Sequence, residues 1–449
     1  MRVLAVDVGS STVKASVVVE GRVASRVSSA PVRTDLRPPR VEVHAEPLFR
    51  SVVEAIRGLG SALRNVDRIA IDALSPSVVL LDRTSRPITP FITHQDRRSL
   101  EEARWLEARF GRRAHLRRAG NRPFPGGIAS TTLLWLRRHA PGLLRRAATV
   151  GMATTFLTHR LTGARTIDPG NAAFLGLYDH ARRASGGPSA WSLELLAPAG
   201  LREAQMPLIQ DGASVAGRLK PGMARTLGLS SGIEVLTGVI DTSAAFLGVG
   251  AAHGRVINVI GTTDVIAMAS SRPRPDARLL TRELGAGPFW LNVYSIACGG
   301  GSVKWAHRAL FPDLAEPAFY SLARRLSRRP APQVRFRAYL AGDRMSIEQA
   351  TAGFDGLDLG TTREDLLAAL LHALAGISRQ GITLLSRRAQ PLRDVAVAGG
   401  GGWLGDLLHA TWPKRPIAPW RFQALERASF LGLDRLARGE TGANLTSDR

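Results

Sequence analysis

The residues of this chain that could do chemistry occur first in the stretch VLAVDVGSSTVKASVVV, at positions 3–19. Apolar residues on both sides of a central turn predict two strands joined as a hairpin. Lys14 would add positive charge to that turn, and Asp7 would anchor a hydrated Mg²⁺. An ordinary hairpin whose acid caps its own turn explains the same residues, so both interpretations stay open here. Backbone amides and hydroxyls able to bind phosphate oxygens come from Gly9, Ser10, Ser11 and Thr12.

A second segment of the same kind lies in the other half of the chain. Aligning Gly9 with Gly261 places VDVGSSTVKASVV over NVIGTTDVIAMAS. Each segment then has an apolar strand, a glycine, two hydroxyl residues, one polar residue and a second apolar strand. The second turn consists of Gly261, Thr262 and Thr263. A single Gly-Ser-Ser turn is common, but the pair predicts a duplicated α/β architecture with one phosphate-binding hairpin in each half.

Asp241 lies in LTGVIDTSAAFLGVGAA, where a short strand is predicted to end and a helix of small residues to begin. An acid in that place, shortly before the second hairpin, can accept a proton from a hydroxyl that attacks a phosphoryl group. An aspartate at a helix start is also a common N-cap. The spacing alone favours neither role.

Two glycine turns and two polar strand ends complete the candidates. The glycines lie in VAVAGGGGWLGDLLHATW and ACGGGSVKWAHRAL, and either turn could also be a plain strand–helix junction. The polar residues lie in LSPSVVLLD and THQDRRS and could bind a polyol, although most such residues merely belong to surface loops. The residues singled out are Gly400, Gly401, Gly300, Ser75, His94 and Asp96.

The formal net charge of +23 comes almost entirely from arginine, because the chain has only four lysines. A polyanion-binding surface would explain this excess, and so would a coding bias toward arginine on solvated helix faces. Aromatic residues make up 6% of the chain and do not interleave with a basic stripe, which favours the coding bias. We therefore expect neither nucleic acid nor a membrane as a partner. The single cysteine, Cys298, indicates a reducing, cytoplasmic location.

Strands and helices alternate through the first half of the sequence, which is typical of an α/β fold. Strands are predicted at Arg68–Leu74 and Ser77–Asp82, and helices at Leu100–Phe110 and Thr132–His139. A turn cluster in LGLSSGIEVLTG places the domain boundary after residue 232. The predicted domains are residues 1–232 and 233–440, followed by a polar tail at 441–449.

Taken in order, these motifs resemble those of the FGGY carbohydrate kinases, the family of xylulokinase, gluconokinase and glycerol kinase. The resemblance covers nearly the whole chain. It implies two RNase H-like domains, of the actin, hexokinase and Hsp70 type, around a central cleft. The motifs that carry it are VDVGSSTVK, QDRR, LTHRLTG, TIDPGNAAFLGLYD, GVIDTSAAFLGVG, GTTD, GGGSVKW and VAGGGGWLGDLL.

The resemblance also implies a function: ATP-dependent phosphorylation of a small sugar or polyol, foremost a ketose such as xylulose or ribulose. Asp241 would be the base and touch the substrate, and it would share the Mg²⁺ with Asp7. The two hairpin turns, Lys14 and the glycine turns would bind ATP, while Ser75, His94 and Asp96 would bind the sugar. A homodimer is a possible assembly. The alternative is a non-catalytic regulator that binds ATP or sugar with the same fold.

Three positions depart from the family pattern. Xylulokinases have Gly-Gln-Met-His-Gly where this chain has residues 73–77, Ala-Leu-Ser-Pro-Ser. His94 replaces a tryptophan that usually precedes the substrate aspartate. Trp403 and Leu404 follow the glycine turn in place of a small polar residue. The first two departures leave the sugar open, and the third leaves the preferred nucleotide open.

Overall fold

The computed structural model describes residues 1–261, 263–297, 299–387, 393–399 and 420–442. The chain forms two compact units. Unit 1 comprises Met1–Ala252, Ser271–Leu291 and the segment from Arg427 onward, and unit 2 comprises His253–Ser270 and Asn292–Glu426. The units change over after Ala252, whereas the sequence predicts a boundary after residue 232, so Asp241 belongs to unit 1. From residue 443 the predicted polar tail lies outside the described residues.

Unit 1 contains most of the strands. They are β1 (Arg2–Val8), β2 (Thr12–Val19), β3 (Arg22–Val23), β4 (Ser28–Pro31), β5 (Thr34–Arg37), β6 (Arg40–Val43), β7 (Arg68–Ala73), β8 (Ser77–Leu81), β9 (Phe91–Thr93), β10 (Thr149–Gly151), β11 (Thr166–Ile167), β12 (Leu208–Ile209), β13 (Val215–Arg218), β14 (Glu234–Leu236), β15 (Val239–Ile240) and, from the later segment, β18 (Leu280–Glu283).

The helices of unit 1 alternate with these strands. They are α1 (Ala45–Arg57), α2 (Leu100–Phe110), α3 (Arg112–Ala119), α4 (Ala129–His139), α5 (Pro141–Arg146), α6 (Ala153–Thr162), α7 (Pro169–Leu175), α8 (His180–Ala184), α9 (Leu193–Leu196), α10 (Pro221–Leu227), α11 (Asp241–Val249) and α15 (Leu425–Arg438), which begins at the end of unit 2. Short 3₁₀ turns lie at Gly60–Leu63, Ala197–Ala199 and Glu203–Gln205.

The main sheet of unit 1 has the order β13-β14-β7-β1-β2-β3, with β15 also pairing with β7 and β4 with β2. A second sheet has the order β10-β8-β9-β6-β5. Strands β1 and β7 run parallel and consist mainly of Val, Ile, Leu and Ala, as expected of strands buried on both faces. One face packs against α1 and α6 in a continuous apolar core that includes Leu4, Val52 and Phe156.

Unit 2 is built on a smaller mixed sheet. Its strands are β16 (Arg255–Ile260), β17 (Asp264–Ser270), β19 (Trp290–Ile296), β20 (Arg335–Arg337), β21 (Gly353–Asp355), β22 (Asp394–Gly399) and β23 (Trp420–Ala424), and its helices are α12 (Gly300–Leu310), α13 (Glu316–Leu326) and α14 (Arg363–Ser386). The first two residues of β19 still belong to unit 1. The strands β19-β17-β16-β22-β23 are neighbours in that order, and β20 pairs with β21. Both units thus combine mixed sheets with helices, which confirms the predicted α/β class.

Both hairpins predicted from the internal repeat are present, and each has the same surroundings. In unit 1, β1 pairs antiparallel with β2 and parallel with β7. In unit 2, β16 pairs antiparallel with β17 and parallel with β22. The turn of each hairpin therefore lies at the carboxyl end of a parallel strand pair, which is where open α/β sheets bind ligands.

Helix α14 is the one helix of the described residues that is long and apolar enough to cross a membrane. Its Leu367, Leu370, Leu371 and Leu374 are nearly inaccessible and pack in a core cluster with residues of α12 and α13. This packing is that of a central helix in a globular core. The length and hydropathy of α14 therefore have an explanation within unit 2.

Helix α11 is held close to α15 by a pair of glycines. A Cβ atom at Gly248 would lie 1.7 Å from the carbonyl oxygen of Ala428, and one at Gly432 would lie 1.8 Å from that of Ala244. Only glycine allows backbones to approach so closely. The contact fixes the helix that begins with Asp241 against a second helix of the same unit.

Candidate active site

Three aspartates converge at one edge of the main sheet in unit 1. Asp7 of β1 is the register partner of Asp72 on the parallel strand β7. On the other side of β7, Val239 of β15 is also a partner of Asp72, and β15 leads directly into Asp241. Because the carboxyl ends of these parallel strands lie at the same edge, the three carboxylates form one group.

Asp72 is the member of this group that sequence reasoning missed. It is fully buried, and burial raises its pKa well above the ordinary value, with the Asp7 and Asp241 carboxylates raising it further. The neutral form of Asp72 is thus more favoured than that of an ordinary aspartate. A sequence signal existed, because the acid interrupts the apolar strand RIAIDAL.

Asp241 is the first residue of α11, and Ile240 rather than Asp241 occupies the N-cap position. The Oδ1 atom of Asp241 accepts a hydrogen bond of 2.6 Å from the backbone N–H of Thr242. The approach to this residue depends on Gly238, whose φ is +81°. A Cβ there would lie 2.4 Å from the carbonyl oxygen of Ile71, so the chain turns toward Asp241 at a position that only glycine can occupy.

A buried arginine lies beside the start of α11. Arg282 of β18 is 1% exposed, and its Nη1 donates to the hydroxyl of Ser243 over 2.7 Å. Its Nη2 donates to the hydroxyl of Thr242 over 3.2 Å. Nothing in the spacing of the sequence predicts this contact, because β18 and α11 are far apart along the chain.

Ser75, predicted to bind sugar, lies at one end of a buried chain of hydrogen bonds. Its hydroxyl donates to Oδ1 of Asn171 over 2.7 Å, and the Asn171 amide donates to Oδ2 of Asp168 over 2.5 Å. The other carboxylate oxygen of Asp168 caps α7 through the N–H groups of Gly170 and Asn171. Burial raises the pKa of Asp168 to about 6, although these bonds and Arg282 act in the opposite direction.

Asp96 and His94 lie after β9 and are both buried. The Asp96 carboxylate accepts hydrogen bonds from the backbone N–H of Val41 and from the N–H and Nε of Arg98, each within 3.0 Å for one of its oxygens. Asp96 therefore connects the loop after β9 to Val41 of β6. A role for Asp96 and His94 in binding sugar stays a prediction.

The first turn predicted to bind phosphate is a tight connection between β1 and β2. Gly9 N–H donates to the Thr12 carbonyl over 3.1 Å, and Asp7 lies opposite Lys14 in the register. The carbonyls of Ser10 and Ser11 accept bonds from the hydroxyl of Thr34 and from Val32 N–H. Since its carbonyls are used within the fold, the turn is well suited to present amides and hydroxyls to an anion.

The second turn, in unit 2, is similar. Gly261 N–H donates to the Thr263 carbonyl over 2.8 Å, and Gly300 N–H, at the start of α12, donates to the Gly261 carbonyl over 3.0 Å. The tip of the hairpin therefore rests on the first turn of a helix. Thr262, Gly400 and Gly401 lie outside the described residues.

Asp264, directly after this turn, is an unexpected acid. It is 4% exposed and accepts a hydrogen bond from Ser378 of α14. Burial raises its pKa to about 7, and the Ser378 hydroxyl only partly opposes the rise. Unit 2 thus buries, beside the turn predicted to bind phosphate, a carboxyl that keeps its proton to a higher pH than an ordinary aspartate does.

No group of three or more His, Cys, Asp or Glu among the described residues is arranged to hold a metal ion by itself. Asp7 and Asp241 nevertheless offer the hard oxygen donors that Mg²⁺ prefers. The arrangement fits an ion that takes its remaining ligands from water and from a phosphate-bearing substrate. Such partial coordination by one or two carboxylates is usual for Mg²⁺ in phosphoryl-transfer enzymes.

The sequence model of the FGGY family of carbohydrate kinases, N-terminal domain, matches residues 2–248, and that of the C-terminal domain matches residues 256–408. The chain is an FGGY carbohydrate kinase. It is therefore an enzyme that phosphorylates sugars, and the resemblance expected from its motifs is confirmed.

The kinase is 27% identical over 410 residues to the xylulose kinase of Escherichia coli (strain K12), covering 89% of this chain and 81% of that relative. It is 28% identical over 410 residues to the xylulose kinase of Streptomyces coelicolor, covering 89% and 80%. The solved structure of a ligand-bound xylulose kinase from Lactobacillus acidophilus matches with a TM-score of 0.85 at 20% identity, over 99% of this chain and 90% of that one. At such an identity the structural likeness shows the fold alone.

Proposed function

We propose that this kinase transfers the γ-phosphoryl group of ATP to a hydroxyl of a small sugar or polyol, with Asp241 as the general base. A ketose such as xylulose or ribulose is the favoured substrate, which the likeness to named xylulose kinases supports. The observation that carries the proposal is the place of Asp241. Asp241 directly follows β15, at the sheet edge where Asp7 and Asp72 also lie. It begins helix α11, which Gly248 and Gly432 hold close to α15.

In the proposed reaction, a carboxylate oxygen of Asp241 accepts the proton of the attacking sugar hydroxyl. The oxygen of the sugar hydroxyl forms a bond to the γ-phosphorus. The bond between the γ-phosphorus and the oxygen that bridges it to the β-phosphate breaks, and ADP leaves. Asp7 and Asp241 would hold Mg²⁺, which when bound neutralises charge on the transferring phosphoryl group. The raised pKa of Asp72 favours its neutral form and so reduces repulsion among the three acids.

The nucleotide phosphates would be bound by backbone amides and hydroxyls of two turns. The predicted contacts of the first turn are residues 9–12 and Lys14, and those of the second turn are Gly261, Thr262 and Thr263. Gly300, Gly400 and Gly401 stay predicted contacts to the rest of the nucleotide. On the sugar side we propose Ser75, whose hydroxyl is fixed by Asn171, together with His94 and Asp96. The cytoplasmic location and the homodimer stay predictions.

The decisive test is Asp241→Asn in an assay of ATP consumption across ketoses, polyols and aldonates. We expect wild-type turnover with at least one sugar and a loss of at least ~10²-fold in the variant, the usual contribution of a general base. Asp179→Asn is the matched control, because Asp179 also lies at a helix start and asparagine caps a helix equally well.

Near-normal turnover of Asp241→Asn would contradict the assignment of the base. Binding of ATP and sugar without consumption of ATP would instead identify a non-catalytic regulator. Hydrolysis that needs no sugar would identify an ATPase of the actin or chaperone type.

A further inference from the structure

Arg282 is a buried cation that the proposed reaction does not use. Its guanidinium donates to the hydroxyls of Thr242 and Ser243, the two residues that directly follow Asp241. It also donates to the carbonyl oxygen of Glu283 over 3.0 Å. The plane of the group lies near the ring of Phe174, with Cζ 5.5 Å from the ring centroid. Every one of these contacts belongs to unit 1.

The charge of Arg282 is balanced by two acids at helix starts. Burial lowers its pKa to about 10, while the carboxylates of Asp168 and Asp241 act to raise it. At neutral pH it therefore remains a cation, enclosed between the acid that caps α7 and the acid that begins α11. An arginine buried this completely is expensive to desolvate unless its partners are well placed.

We propose that Arg282 is the positioning residue of Asp241: by binding the hydroxyls of Thr242 and Ser243 it fixes the first turn of α11 and with it the direction of the Asp241 carboxylate. This inference rests on the proposed role of Asp241 as base. A planar guanidinium that binds two successive residues resists rotation of that turn about the helix axis. Lysine would keep the charge but not the planar set of donors.

Arg282 does not present its guanidinium to solvent in the described structure, because it is 1% exposed. Its Cζ lies 5.5 Å from the ring centroid of Phe174, and a Cβ at Gly170 would lie 3.3 Å from its Nη1. We therefore expect its effect to pass through Asp241 rather than through a direct contact with the sugar. A shift of about 1 Å in a catalytic group can cost ~10²-fold in rate, so the effect appears in the chemical step.

The test compares Arg282→Gln and Arg282→Lys with wild type by kcat, by KM for sugar and ATP, and by thermal unfolding. We expect kcat of Arg282→Gln to fall ~10- to 10²-fold while both KM values stay within about threefold. Arg282→Lys should recover part of this loss. Arg160→Gln is the matched control, since Arg160 pairs with Glu46 and covers the ring of Phe49 at 5.0 Å, away from Asp241. It should change stability without changing kcat.

A double variant, Thr242→Val with Ser243→Ala, removes the same contacts while Arg282 stays in place. It should lower kcat as Arg282→Gln does, and it decides the matter if the Arg282 variants do not fold. An unchanged kcat in a folded Arg282→Gln, or in the double variant, would overturn the inference. So would a raised sugar KM with normal kcat, which is the signature of a direct substrate contact. Failure of this inference can be told apart from failure of the proposed function. Normal turnover of Asp241→Asn would contradict the proposed function, whereas normal turnover of the Arg282 variants alone would contradict only the inference.

Discussion

The two hairpins share one framework but differ in where they carry charge. With Gly9 placed over Gly261, the positions of Asp7 and Lys14 correspond to Val259 and Ile266. The strand neighbour of Asp7 is Asp72, whereas the strand neighbour of Val259 is Ala398. All three charged positions of unit 1 are thus apolar in unit 2, although the strand pairing is the same.

The difference separates the shared shape of the two turns from the charges around them. The same type of turn, closed by a hydrogen bond from its first glycine, is present in both units, and phosphate binding by both turns stays a proposal. Asp7 and Asp72 lie at the sheet edge of unit 1, and Asp241 joins them there. The acid beside the second turn, Asp264, is instead buried and accepts a hydrogen bond from Ser378. We propose that the group of three acids serves the proton transfer, because only one side of a phosphoryl transfer loses a proton.

Asp7→Asn should have the largest effect, because it removes a charge that the second hairpin lacks. We expect kcat to fall ~10²- to 10³-fold, because the acidic edge loses a charged oxygen ligand that stabilises the transferring phosphoryl group. Steady-state kinetics over a range of Mg²⁺ concentrations measure the effect, and the Mg²⁺ requirement should rise as well.

Val259→Thr is the control for Asp7→Asn in the second hairpin. It changes the corresponding position with little change of volume, and we expect normal kcat and Mg²⁺ dependence. Equal losses of kcat in the two variants would show that Asp7 matters only for the shape of its hairpin. That result would contradict different roles for the two hairpins.

The buried acid of unit 2, Asp264, should affect the pH dependence of stability. The pKa of Asp264 is raised by burial to about 7, so the folded state binds its proton more tightly than the unfolded chain. The stability this provides is complete below about pH 4 and is lost as the pH rises from there to about 7. Because the shift is roughly three pKa units, the loss is on the order of 4 kcal/mol.

Asp264→Asn should remove that pH dependence. Urea unfolding at several pH values should show a variant more stable than wild type at pH 8, and an advantage that shrinks toward pH 5. Asp82→Asn is a suitable comparison, because hydrogen bonds from Thr84 and Arg86 lower the pKa of that turn acid. A difference in unfolding free energy between wild type and Asp264→Asn that does not change with pH would contradict a raised pKa of the buried Asp264 carboxyl.

The framework could be predicted from sequence because local patterns determine it. Helix α2 has the predicted bounds, Leu100–Phe110, and β7 and β8 each end one residue before prediction. The sequence repeat around Gly9 and Gly261 is recognisable because a hairpin is predicted from local residues alone, as strands of Val and Ile on both sides of a turn. The family motifs were recognisable for the same reason.

The surroundings of the candidate base could not be predicted, because they depend on contacts between distant segments. Asp72 becomes part of the acidic group only through its register with Asp7, and Arg282 reaches Thr242 from a strand late in the chain. The N-cap alternative for Asp241 was equally undecidable, since a shift of one residue separates an N-cap from a first helical residue. Such details follow from packing rather than from spacing.

The smallest expected effect concerns the glycines of two helices, one in each unit. Gly432→Ala places a Cβ 1.8 Å from the Ala244 carbonyl and must push α15 away from α11. We expect unfolding to become easier by ~1–3 kcal/mol, the usual cost of overpacking. A smaller loss of kcat should accompany it, because α11 begins with Asp241.

Gly376→Ala in α14 meets no atom within 4 Å, and alanine there should stabilise the helix by up to ~1 kcal/mol. Thermal unfolding of the two variants measures both signs, and a neutral Gly432→Ala would show that the close helix contact does not hold Asp241 in place.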